Sequence, residues 1–106
     1  MTLYLIRKKN NISAIGEYDF ATKRFTVLKG SRVSDSIAYT DKFRGASTIE
    51  KYRANAVVDN LVIEDITFKS ASTAANFVTG SSTNGLIAWK DEKGRTLKEI
   101  TGEASE

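Results

Sequence analysis

The chain has 106 residues and a mass of 11.7 kDa, with 41% hydrophobic and 27% charged residues. That is one small domain, too apolar to stay disordered along its length. It has no cysteine and no histidine, which excludes disulfides, zinc sites built from those residues, cysteine nucleophiles and every Ser-His-Asp mechanism. The net charge of +3 (pI ≈ 9.2) divides unevenly. Residues 1–53 hold eleven basic against five acidic side chains, net +6, and residues 54–106 carry net −3. A basic half suits a polyanion, and equally describes ordinary solvated surface.

Leu3-Tyr4-Leu5-Ile6 reads as a strand, stopped by a turn at Asn10-Asn11. Ile12, Ala14, Tyr18 and Phe20 follow at two-residue spacing, with Gly16 read as a bulge. After a short connection, Arg24 to Leu28 completes an antiparallel meander that ends at Lys29-Gly30-Ser31. Residues 32–45 lack a clear period and read as a loop with room for one short strand.

Ser47-Thr48-Ile49-Glu50 has the form of a capping box, and Ile49, Tyr52, Ala56 and Val57 place a helix over 48–58. Leu61-Val62-Ile63 is a short strand or turn, and Ile66 and Phe68 mark another strand. A second helix over 70–79 starts at Ser70, buries Ala71, Ala74, Ala75 and Val78, and ends at Gly80. Asn84-Gly85 reads as a tight turn, Leu86 to Trp89 as a strand, Asp91 to Gly94 as a turn, and Thr96 to Ile100 as a closing strand or short helix. The polar tail 101–106 reads as frayed. No segment is apolar for long enough to cross a bilayer, so cytoplasmic placement is the default.

The expected fold is α+β: a mainly antiparallel sheet of five or six strands packed by two helices, with residues 1–100 as one domain. The expected core is Leu5, Ile15, Phe25, Val27, Ile49, Tyr52, Val57, Ile66, Phe68, Ala74, Ala75, Val78, Ile87 and Trp89, with Ile12 and Ala14 competing with Ile15 for the inner face. Tyr4, Tyr18 and Tyr39 are expected at the surface.

Catalysis has little to build on. Acid–base work would fall to pairs such as Glu64-Asp65 or Asp91-Glu92, whose adjacent members point to opposite faces of a strand. The glycines form no phosphate-loop or dinucleotide pattern. Anion binding has more support. Lys69, Ser70, Ser72 and Thr73 surround a helix start, where free amides and the dipole favour negative charge. Lys29 and Arg32 flank the Gly30-Ser31 corner, where a nucleic-acid backbone can approach. The bland alternative is that Ser70 only caps its helix.

Three stretches together resemble the "domain of unknown function 4357" family: Ala14, Gly16 and Phe25 to Ser31; Phe68 to Gly80; and Asn84-Gly85 followed by Trp89-Lys90, Gly94 and Leu97. Ala71 replaces a proline, and Leu86 a tryptophan, of the family's pattern. The resemblance implies company with GIY-YIG-type nucleases and restriction–modification proteins, and similarity to restriction-enzyme adenine-methylase-associated modules. It brings no catalytic residue and no cofactor. The expectation is a non-catalytic, DNA-associated accessory module that binds phosphates weakly, alone or beside a nuclease or methyltransferase subunit. The alternative is a protein-interaction module that docks on, or inhibits, such an enzyme.

Overall fold

A computed structural model describes residues 1–38 and 45–102. The surface expectation for Tyr39 and the tail at 103–106 lie outside the described residues. Strand β1 (Thr2–Arg7) leads through a 3-10 turn at Lys8–Asn10 into β2 (Ile12–Tyr18), and β3 (Phe25–Val27) completes the meander. Helix α1 (Ala46–Ala56) runs into a two-residue hairpin of β4 (Val57–Val58) and β5 (Leu61–Val62). Strand β6 (Ile66–Phe68) precedes α2 (Ala71–Thr79), α3 (Gly85–Ala88) and α4 (Leu97–Thr101).

All strand pairs are antiparallel, in the order β1-β2-β3-β6. Arg32 bridges to Ser13 on one side and Leu61 on the other, which stitches the β4–β5 hairpin to the sheet. The α+β class and the antiparallel sheet therefore hold, while the described residues form four helices rather than two.

Alternation along the strands decides the faces. Leu3, Leu5, Ile12, Ala14, Phe25, Val27 and Phe68 are buried, and α2 packs on that face of the sheet through Ala71, Ala74, Ala75, Phe77 and Val78. Three alanines let the helix axis come close. The opposite face presents Thr2, Ile6, Ser13 and Ile15. Ile15 (40% exposed) therefore belongs outside the core, and Ile12 and Ala14 own the inner face. Ile87 is likewise exposed, and Tyr52 is 37% exposed at the rim of the core, its ring set edge-on to Phe68 at 5.0 Å. Tyr18 is buried instead of superficial, its ring set edge-on to Phe20 at 5.2 Å.

Several local readings change for physical reasons. Helix α1 begins at Ala46 with Gly45 as its cap, and no side chain caps it. Burial of Ala46 outweighs the cap preference of Ser47, so the expected Ser47–Glu50 box does not form. The helix stops at Ala56 because Asp59 and Asn60 adopt φ of 52° and 66°, the geometry of a hairpin turn that pairs Val58 with Leu61. Gly16 is no bulge: β2 keeps regular register on both sides. A Cβ there would lie 2.0 Å from Phe25 Cε1, so glycine is what admits the ring. Residues 86–89, read as a strand, lie mostly in α3, since an apolar run this short carries no decisive period.

Candidate functional site

The three family-like stretches meet at one place. Ser70 caps α2, its Oγ accepting the Thr73 N–H at 3.1 Å. Ser72 Oγ accepts the Gly85 N–H at 2.9 Å. A Cβ on Gly85 would lie 2.3 Å from the Ala71 carbonyl carbon and 2.5 Å from Ser72 N, so the start of α3 lies flat on the first turn of α2. Trp89, fully buried, donates its indole N–H to the Ala71 carbonyl at 3.0 Å. Its ring packs on Phe25 at 4.2 Å between centroids, and Phe25 in turn covers Gly16. These residues form a structural knot. The hydroxyls expected to take an anion at the α2 start are engaged within the molecule, and the backbone of Gly85 covers that turn.

The Lys29–Arg32 corner is also stitched from within. Ser31 Oγ accepts the Ile15 N–H at 3.0 Å and donates to the Ile15 carbonyl at 3.2 Å. Gly30, at φ +92°, donates to the Val62 carbonyl, and the Lys29 N–H donates to Asp65 Oδ1 at 2.8 Å. That bond gives Asp65 a structural role. The Lys29 side chain is exposed and the Arg32 residue half-buried.

The two corners do not form one site. Phe25 pairs with Phe68 and Val27 with Ile66, so Lys69 lies beside Arg24 while Lys29 lies at the other end of the ladder. Five residues of strand separate Arg24 from Lys29, about 16 Å. The topology instead brings Lys29 and Arg32 to the end of the sheet that carries Arg7, Lys8 and Lys9, because β3 runs parallel to β1. Among the described residues none of these five cations forms an ion pair.

Other charges are committed elsewhere. The Arg53 guanidinium donates to the Phe77, Val78 and Ser34 carbonyls and to Ser34 Oγ, at 2.8 to 3.3 Å, closing the C-terminal end of α2. In the sequence Arg53 is one of the eleven basic residues of the first half, with nothing to mark this role. Asp91 accepts from the Lys93 and Arg95 amides and pairs with Arg95 Nε at 2.7 Å. Burial pushes its pKa up, but those hydrogen bonds and the Arg95 charge outweigh burial and hold it below the ordinary value. Asp91 thus organises a turn. Among the described residues no three carboxylates gather as metal ligands, and no helix is long and apolar enough to cross a membrane.

One feature escaped the sequence. Lys90 pairs with Tyr4 on the outer edge of β1, but the residues before it coil into α3 instead of extending the sheet. The gap is a cleft of ≈ 670 Å³ between the β1 edge, the 81–84 loop and α3, with Arg7, Lys90, Ser82, Asn84 and Ile87 among its lining. Only recognition of 85–88 as helical would have revealed it.

No curated protein matches the chain, and no solved structure does. A family model does match, over residues 5–101, and those residues include every element of the knot. The chain belongs to the family described as Domain of unknown function (DUF4357).

Proposed function

We propose that the protein is a non-catalytic accessory module of a restriction–modification or nuclease system, acting in the cytoplasm and binding DNA phosphates weakly. The observation that carries the reading is the collection of Arg7, Lys8, Lys9, Lys29 and Arg32 at one end of the sheet without ion-pair partners among the described residues. Strand ends and tight turns fix the backbone from which these cations extend, which suits contact with a regular phosphate backbone. Gly30 and Ser31 hold the backbone of that corner in place. Lys69 marks a second corner, where Ser70, Ser72 and Thr73, half-buried, shape the chain and the lysine is exposed.

A salt-titrated anisotropy assay on duplex DNA, with and without adenine methylation, tests this. The expected result is micromolar or weaker affinity that falls steeply with salt, with Lys29→Glu and Arg32→Glu each flattening the slope by about one. Absence of binding to any duplex at about 50 mM salt would refute it. The rival, a module docking on a nuclease, draws support from the sheet face that exposes Ile6 and Ile15. Pull-down of a nuclease by a variant that has lost all DNA binding would favour that rival.

A further inference from the structure

We infer that the cleft along the edge of β1 is a binding track for single-stranded nucleic acid; this rests on the nucleic-acid reading above and assigns it a second surface, which shares Arg7 and Lys9 with the basic end and adds Lys90. Ile6 alternates with Leu5, which is buried, and it pairs with Ser13 at a position where the strand's own N–H and C=O point away from β2. The neighbouring Tyr4 shows the same direction, since its N–H and C=O bond outward to Lys90. Had residues 86–89 remained extended, they would have covered Ile6. Because they coil into α3, the Ile6 amide faces the cleft, flanked by Arg7 and Lys90.

The chemistry of the walls favours a polyanion with flat apolar parts. Arg7 and Lys90 are exposed, and neither forms an ion pair among the described residues. Ser82 and the Asn84 amide add neutral donors between them. Ile6 and Ile87, 58% and 52% exposed, line the same space and offer surface against which bases can lie. The cleft's ≈ 670 Å³ falls in the range of about 300–1,000 Å³ typical of sites for compact ligands. That accommodates a nucleotide or two of one strand.

The recess is not closed at its ends. Arg7 and Ser81 also line the adjoining hollow with Lys9, and Tyr4 and Glu92 line the next one with Lys93. A strand can therefore run the length of β1, about 20 Å, passing cations at each stage. Of the two carboxylates in the central section, Asp91 is tied to Arg95, and Glu92 is the one facing the track without an ion pair among the described residues.

The test uses the full chain and a fluorescein-labelled oligothymidine of about twelve nucleotides, beside a duplex of equal length, in anisotropy across salt. Oligothymidine is expected to bind, and Lys90→Glu to weaken that binding at least about fivefold, lowering the salt slope by about 0.7. Glu92→Gln should tighten it roughly twofold, a gain that a damaged fold would not produce. Lys51→Glu, on α1, should leave it unchanged. Duplex binding without oligothymidine binding overturns this inference alone. So does oligothymidine binding indifferent to both Lys90→Glu and Glu92→Gln, or occupation of the cleft by an acidic peptide while oligothymidine fails to bind. Failure of both nucleic acids to bind the unaltered protein would take down the underlying reading as well.

Discussion

Replacing Gly85 with alanine separates the structural knot from simple helix propensity, because the two make opposite predictions. Gly85 is the first residue of α3, and by propensity alone Gly→Ala in a helix should stabilise by up to about 1 kcal/mol. The knot forbids that gain. The new methyl would sit 2.3 Å from the Ala71 carbonyl carbon, 2.4 Å from its oxygen and 2.5 Å from Ser72 N. Ordinary carbon contacts need about 3.5 Å or more, so α3 must retreat by about 1 Å from backbone that cannot swing aside. Overpacking of this kind costs about 1–3 kcal/mol. Retreat also breaks the part-buried Gly85–Ser72 hydrogen bond and strains the fully buried Trp89–Ala71 bond. A lost bond there costs about 1–3 kcal/mol. The expected total is about 3 kcal/mol, read as a lower urea midpoint with unchanged slope. Gly94→Ala is the control: φ is +84° with no atom within 4 Å of the added methyl, so only backbone strain of about 1 kcal/mol applies. A neutral or stabilised Gly85→Ala variant would refute the knot.

Caps supply a second pair. Thr96→Ala should cost about 0.5–2 kcal/mol because Thr96 and Glu99 form a true capping box, whereas Ser47→Ala should stay within about 0.5 kcal/mol, both by urea denaturation. Arg53→Met should destabilise by about 3 kcal/mol, since it strips donors from several carbonyls at the end of α2, and Arg53→Lys should recover little of that. Asp91 has a folded pKa below its ordinary 3.8, so its contribution is present above that value and lost as pH falls through the folded pKa. The fall in urea midpoint between pH 7 and pH 3 should therefore be smaller for Asp91→Asn than for the unaltered protein.

What the sequence made legible was set by length of pattern and strength of punctuation. The meander over β1 to β3 was readable because seven residues of β2 alternate without interruption, and α2 because Ser70 and Gly80 bracket it. The two S/T-x-x-E segments show the limit. Ser47-x-x-Glu50 and Thr96-x-x-Glu99 look alike, yet only the second forms the box, because burial of Ala46 starts α1 one residue before Ser47. The candidate site was half legible. Lys29 and Arg32 stand out in the sequence as candidates, but their union with Arg7, Lys8 and Lys9 depends on strand direction, which no local pattern carries. The serines of α2 were identified as chemically able to bind an anion; that Gly85 and Trp89 had already claimed their neighbourhood is a tertiary fact.

The basic end of the sheet is proposed to meet nucleic acid, whereas the start of α2 serves the fold. Backbone amide shift mapping during titration with a short DNA duplex tests it most directly. Perturbations are expected to centre on Arg7–Asn11 and Lys29–Arg32 and to fade as salt is raised. Perturbations centred on Ser70–Ala74, or none at any salt concentration, would contradict it.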